Sequence, residues 1–392
     1  MGNELKHSPF VAQLLGSKLP FTYLLRFLFF VIGLSLGVTI SVYFKSFSFS
    51  LKELFPSSPP GLPELPPPQP WIQPSLNGSG SYTQQPLMHN MDDEELFWRA
   101  LMVPKRKKFQ GEHVPKIAFM FLTKGPLHLA PLWEMFFKGH QGLYTIYVHT
   151  HPLFNWTVPV DSVFYRTRIP SKTVTWGQPS MLDAERRLLA NALLDFYNER
   201  FVLLSETCIP LFNFTTIYNF LVNANHGFVA SYDDPRKTGR GRYNPKMAPT
   251  IKISDWRKGS QWFEMNRKMA IEIVSDTKYY LIFNELCSPP CYSDEHYIPT
   301  LINKCCAHEN SNRSITWVDW SKSGPHPGRF GRAGVSLEFL NQTRFNCTAS
   351  DRLKSNDASS TCFLFGRKFM SDALRPLLQI APMLLGLNAS HF

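Results

Sequence analysis

Between residues 117 and 204, short apolar runs alternate with longer stretches of helical period, and this alternation restricts the fold more than any other feature of the chain. Ile117 to Leu122, Tyr144 to Val148, Ser162 to Tyr165 and Phe201 to Leu204 read as strands. Leu129 to Phe137 and Ser180 to Tyr197 read as helices between them. The second opens on a Ser-x-x-Asp capping pattern and carries Leu182, Leu189, Leu193 and Phe196 on one side. Such an order predicts an α/β fold, a mostly parallel sheet with helices on both faces. The chain has 392 residues, 44% of them hydrophobic, which is enough to bury a sizeable core even when its N-terminal part is set aside.

That N-terminal part has a different pattern. Phe27 to Phe44 contains no charge and is long enough to span a bilayer. Ser-Val-Tyr-Phe-Lys-Ser at its end is a poor cleavage site, so the run reads as an uncleaved transmembrane signal anchor (27–44) behind a cytosolic tail (1–26). Residues 45–114 are proline-dense from Pro56 to Pro74 and continue through Gly78-Ser79-Gly80-Ser81. A segment of this composition buries too little apolar surface to offset its ordering entropy, and reads as an extended stem. Lys105-Arg106-Lys107-Lys108 reads as a solvated cluster before the first strand, with no nucleic-acid partner implied. The body is then 115–392.

Asn-x-Ser/Thr sequons stand at Asn77, Asn155, Asn213, Asn312, Asn341, Asn346 and Asn388, all C-terminal to the anchor. The seven cysteines, Cys208, Cys287, Cys291, Cys305, Cys306, Cys347 and Cys362, lie on the same side. Together these features favour a lumenal body in which disulfides form, and an odd count leaves at least one thiol unpaired. Cys287-x3-Cys291 with Cys305-Cys306 and His308 also fits zinc, but vicinal cysteines are awkward as simultaneous ligands and an oxidising lumen favours disulfides. No metal site is expected. His149-Thr150-His151 lacks convergent carboxylates and reads as a loop feature or nucleotide contact.

Between those cysteines, Asp294 and Glu295 stand at an expected helix start, and a rigidly held carboxylate can act as a general base. Adjacent carboxylates on a helix point apart, which does not suit the separated pair of a glycoside hydrolase. The chain carries neither a Gly-x-Gly-x-x-Gly nor a P-loop pattern, and no Asp-x-Asp triplet that would hold a divalent cation on a diphosphate. A formal charge of +11 leaves arginine and lysine to neutralise an anionic ligand.

Several motifs occur in a fixed order: Ile-Ala-Phe-Met-Phe-Leu-Thr from Ile117, Phe-Val-Leu-Leu-Ser-Glu-Thr-Cys-Ile-Pro-Leu from Phe201, Gly-Arg-Gly-Arg-Tyr from Gly239, Gly-Ser-Gln-Trp-Phe from Gly259, Ser-Asp-Glu-His-Tyr from Ser293 and Leu-Phe-Gly-Arg-Lys-Phe from Leu364. The series resembles glycosyltransferase family 14, in particular its plant-type branch, related to the core-2/I-branching β-1,6-N-acetylglucosaminyltransferases. The resemblance covers residues 115 to 385. It implies a GT-A-like, Rossmann-like nucleotide-sugar fold and a Golgi type II membrane protein with a lumenal catalytic domain.

The resemblance further implies an inverting, metal-independent transferase that uses a UDP-sugar as co-substrate, with no resident cofactor, and a glycan or glycoprotein as acceptor. Glu295 occupies the position of the family's general base, and Arg344 and Lys368 those of its two diphosphate-binding cations. Asp233, Asp234, Arg240 and Arg242 fall in the loop that approaches the acceptor, and Trp317 or Trp320 would supply an aromatic platform. Trp262 is expected in the core. The family's vertebrate members carry an aspartate after the second strand where this chain has His149-Thr150-His151-Pro152, a departure from the pattern that bears on the uridine contacts and on the nucleotide preference. N-acetylglucosamine and glucuronic acid are both implied as the transferred sugar. The alternative is a catalytically inactive lumenal glycan-binding or assembly protein on the same fold.

Overall fold

The computed structural model describes residues 29–33, 87–103, 114–322, 324, 326–345 and 361–386. The chain divides between Ser81 and Tyr82. In the first unit residues 29–33 are helical, and the rest of the expected anchor and most of the stem lie outside the described residues. Among the described residues no helix is long and apolar enough to cross a membrane.

The second unit is built on a central sheet of strand order β2-β1-β3-β5, formed by β1 (Lys116–Leu122), β2 (Tyr144–His149), β3 (Asn198–Ser205) and β5 (Glu264–Asn266). β1 runs parallel to both β2 and β3, and β5 closes the edge antiparallel to β3. Side chains alternate across a strand, and both faces of β1 are buried. Ala118, Met120 and Leu122 face one apolar cluster with Leu182, Leu189 and Leu193 of α3 (Ser180–Leu194) and Met269 and Ile273 of α5 (Arg267–Ser275). Ile117, Phe119 and Phe121 face a second cluster with Trp133 and Phe137 of α2 (Ala130–Phe137), Phe214 of α4 (Phe214–Val222) and Leu377 of α9 (Leu374–Leu385). Helices therefore cover both faces, as the strand-helix alternation requires.

A second sheet has order β4-β7-β6, with β4 (Ile209–Pro210), β6 (Thr316–Val318) and β7 (Phe365–Arg367). β6 is parallel to β7. The remaining helices are α1 (Asp93–Met102), α6 (Lys278–Leu286), α7 (Tyr297–Cys305) and α8 (Leu337–Phe345). α1 falls in the segment whose composition suggested stem. Leu96 and Ala100 nevertheless join the first cluster, and Asp93 takes a bidentate contact from Arg187 of α3 at 2.7 and 2.8 Å.

Two local expectations are corrected. Ser162 to Tyr165 form turns rather than a strand. Glu134 accepts from the Ser162 hydroxyl and from the Val163 amide, so this backbone follows α2, and Val148 of β2 bridges Arg168 instead. Helix α3 ends at Leu194 and lacks the capping-box bond, because Ser180 Oγ accepts from the Thr175 amide at 3.0 Å and Asp183 accepts from Tyr280.

Candidate active site

The last residues of the parallel strands, Leu122, His149 and Ser205 from the central sheet and Val318 and Arg367 from the second, open onto one cavity of about 1070 Å³. Ligands of open α/β sheets bind at these carboxyl ends, where successive loops diverge. Glu295, Arg242, Lys258, Trp320 and Lys368 all line this cavity. Side chains far apart in sequence are brought together because the second sheet sets the end of β7 beside the loop after β3. The Phe369 amide donates to the Thr207 carbonyl at 2.9 Å, and the Phe330 amide to the Lys368 carbonyl at 2.9 Å.

Glu295 is positioned from its backbone outward. Tyr292 adopts the left-handed conformation (φ +54°), which turns the chain into a single helical turn at Ser293–Glu295 ahead of α7. The Glu295 carbonyl accepts from the Gly259 amide at 2.9 Å. A Cβ on Gly259 would stand 1.8 Å from the Ala230 carbonyl oxygen, so this close approach requires glycine. His296, the third residue of the Asp-Glu-His motif, is a packing residue: its Nδ1 lies 2.8 Å from the Arg257 carbonyl and its ring stacks on Trp256 at 4.4 Å. Burial pushes its pKa down to about 4, which leaves it neutral and donating to that carbonyl.

The pKa values of the two adjacent carboxylates are shifted in opposite directions. Glu295 Oε2 accepts from Arg242 at 2.6 Å and from Lys258. Burial acts to raise its pKa, but the two cations outweigh it and hold the carboxyl below its ordinary value. Asp294 is buried and forms no ion pair among the described residues. Burial first, and the Glu295 charge second, push its pKa up to about 6. Asp294 Oδ1 has no hydrogen-bond partner among the described residues. Behind it Glu185, fully buried on α3 and bound by Gln261 at 2.9 Å, is held well above the carboxylate range by burial. An ionised carboxylate at the cavity wall thus neighbours two carboxyls whose pKa burial raises.

The cations expected at the diphosphate divide. Lys368 lines the cavity, and burial lowers its pKa, followed by the charges of Arg367 and Arg329. Arg344, on α8, is not among the cavity residues. Its guanidinium donates to the Leu211 carbonyl at 2.5 Å, the Leu384 carbonyl at 2.9 Å and Asn341 at 2.8 Å, and it covers the Phe212 ring at 4.6 Å. It bridges α8 to α9 and to the residue after β4. Arg367, adjacent to Lys368, does reach the cavity, its guanidinium 4.0 Å from the centre of the Trp262 ring. Trp262 is buried as expected, yet one edge of it joins the cavity wall.

The expected acceptor residues divide as well. Arg242 and Trp320 line the cavity, whereas Asp233, Asp234, Arg240 and Trp317 do not. Arg240 makes a bidentate pair with Asp233 at 2.7 and 2.5 Å, and Asp234 accepts from Arg236 at 2.8 Å and from Thr238 at 3.2 Å, so these charges are satisfied locally. Trp317 packs on Phe330 and Phe339. Lys258, Glu206 and Trp176 also line the cavity and were not singled out in the sequence. Lys258 directly precedes Gly-Ser-Gln-Trp-Phe and Glu206 sits inside Phe-Val-Leu-Leu-Ser-Glu-Thr, so both were within motif reach. Trp176 had no such signal. His149 lines the cavity floor, buried, with its pKa pushed down to about 3 by burial and then by Arg187 and Arg168.

Cys287 and Cys291 are bonded to each other, with Cα atoms 5.2 Å apart, and Cys362 is also disulfide-bonded. Cys208, Cys305 and Cys306 are free thiols, and Cys347 lies outside the described residues. Among the described residues no group of three His, Cys, Asp or Glu side chains could hold a metal ion. Of the sequons, Asn155 is exposed, Asn213 caps α4 by accepting from the Thr216 amide, Asn312 accepts from the Ser231 amide, and Asn341 accepts from Arg344. Asn77, Asn346 and Asn388 lie outside the described residues.

The family model of core-2/I-branching enzymes matches residues 117–344. Glycosyltransferase BC10 of Oryza sativa subsp. japonica is 32% identical over 308 residues, 68% of this chain and 76% of that protein. The matched stretch includes β2, β3, β5, all of β1 but its first residue, and the Glu295 turn.

Proposed function

The chain belongs to the core-2/I-branching glycosyltransferase family, and we propose that it transfers a sugar from a UDP-sugar to a glycan or glycoprotein hydroxyl with inversion and without a metal. Glu295 accepts the proton of the acceptor hydroxyl as that oxygen bonds to C1 of the sugar. The bond from C1 to the diphosphate oxygen breaks, and UDP departs with the bonding electrons. A single base suffices for direct displacement. Lys368, with Arg367 beside it, offsets the charge that develops on the leaving diphosphate, a task in which preorganised cations replace a metal. The observation that carries this reading is the meeting in one cavity of a carboxylate kept ionised by Arg242 and Lys258 with the Arg367-Lys368 pair.

Arg344 supports this cation site from outside, through α8 and α9, in the described arrangement. The donor is UDP-N-acetylglucosamine or UDP-glucuronic acid, and no observation favours the inactive glycan-binding alternative. The uncharged run at 27–44, the sequons C-terminal to it and the Cys287–Cys291 disulfide support a single-pass type II protein of the Golgi membrane with its body in the lumen. UDP release by the purified full chain, measured with each donor over a panel of glycan acceptors, with and without EDTA, tests the assignment. Release that persists in EDTA is expected. Strict dependence on a divalent cation would overturn the role given to Lys368.

A further inference from the structure

Most tryptophans of the folded unit are buried or packed. Trp133, Trp256 and Trp262 belong to the core, and Trp317 packs on phenylalanines. Trp176 differs. It is 60% exposed and lines the cavity, as does Trp320 at 57%. Exposed aromatic surface in a cavity that also presents charged side chains suits a ligand with both polar groups and an apolar face.

Trp176 is also held in place. Its ring lies 4.9 Å from that of Tyr292 and 6.1 Å from His326. Gly177 follows it at φ +76°, and a Cβ there would stand 2.9 Å from the Tyr292 ring, so Tyr292 seats directly against the backbone that carries the indole. Tyr292 follows the Cys287–Cys291 loop at once, and Pro289 of that loop also faces Gly177. The other contact of Tyr292 leads to the reaction centre: the Arg242 guanidinium lies 4.5 Å from its ring centre and donates to Glu295 at 2.6 Å. Trp176, Tyr292, Arg242 and Glu295 form one continuous wall.

From this wall we infer that Trp176 is a sugar-binding platform for the acceptor, taking the apolar face of a pyranose one or more residues away from the one whose hydroxyl reacts. The ligand class is a neutral oligosaccharide. The inference rests on the transferase reading above, because it is Glu295 that makes this wall the acceptor side. The platform selects chains over single sugars: a monosaccharide at Glu295 does not reach it, and a longer acceptor does.

Isothermal titration of the UDP-bound full chain with methyl β-galactoside and with β-1,3-, β-1,4- and β-1,6-linked galactohexaose tests this directly. Wild type should bind at least one hexaose more tightly than the monosaccharide. Trp176→Ala should weaken that hexaose by about tenfold, the scale of one lost aromatic contact, and leave the monosaccharide unchanged. Trp176→Phe should retain most of the affinity. Trp98→Ala, at an exposed tryptophan of α1 outside the cavity, should change nothing. Hexaose affinity unaltered in Trp176→Ala, or no hexaose bound better than the monosaccharide by wild type, would overturn the platform. Loss of UDP affinity in Trp176→Ala would place the indole on the donor side and overturn it too. Failure of the transferase reading shows separately, as absence of UDP release by wild type.

Discussion

At Glu295 burial and charge oppose each other, and charge prevails because Lys258 and Arg242 both reach the same oxygen. The carboxylate must be ionised to take a proton, so activity should fall as pH drops through its pKa. Arg242→Gln removes one stabilising cation and raises that pKa, and the acid limb of kcat/KM should move to higher pH. An unmoved limb would show that Glu295 is not the titrating base. Asp294 responds in the opposite sense. Its folded pKa of about 6 lies above the usual value of 3.8, so between these values the folded chain holds a proton that the unfolded chain has released, and stability falls as pH rises. Asp294→Asn should therefore match wild type near pH 4 and exceed it by roughly 2–3 kcal/mol at pH 7 in chemical denaturation. A constant difference across that range would contradict the buried, uncompensated carboxyl. That Glu295 and Lys368 would share one cavity was legible because each sits in a motif whose residue order is itself informative. Arg344 was the looser match, placed only by its spacing before Cys347, and its guanidinium turns to three local acceptors, a choice that depends on where α8 and α9 pack. Trp176 was not legible, since exposure of an aromatic residue is decided by tertiary packing.

Among the elements, β5 buries its one charged side chain against β3. Arg200 of β3 and Glu264 of β5 form a bidentate pair at 2.6 and 2.7 Å, and Arg200 also donates to the carbonyls of Ala224 and His226. Their side chains are 5% and 0% exposed. Burial pushes the Glu264 carboxyl up despite its partner, so the pair organises the sheet edge rather than adding freely to stability. Glu264→Gln leaves a buried guanidinium uncompensated and should cost about 3–5 kcal/mol in urea unfolding, where a loss below about 1 kcal/mol would contradict the buried pair. Strands β1, β2 and β3 were legible as continuous apolar runs because both of their faces are covered. Strand β5 was not, since Glu-Met-Asn is short and its glutamate is buried only through a partner on another strand. The segment at 162–165 shows the reverse failure: four residues of suitable composition turn instead, because Glu134 captures their polar groups.

For the molecule as a whole, parallel strands from two sheets end at one cavity, and the proposed chemistry is placed where they end. The α/β class and the helices on both faces followed from the alternation of apolar periods. The pairing of β7 with β4 and β6 did not, because these strands are two or three residues long and their partners are distant in the chain. That pairing is what sets Lys368 in the cavity of Glu295, so the first half of the site is written locally and the second half depends on the complete fold. The proposed mechanism, with Glu295 as the base and Arg367 and Lys368 on the leaving group, calls for no metal. Turnover of wild type and Glu295→Gln in EDTA, with UDP affinity measured on both, decides whether that holds. Loss of kcat by about 10²–10⁴ with UDP affinity retained is the predicted result. Turnover by Glu295→Gln equal to that of wild type would contradict it.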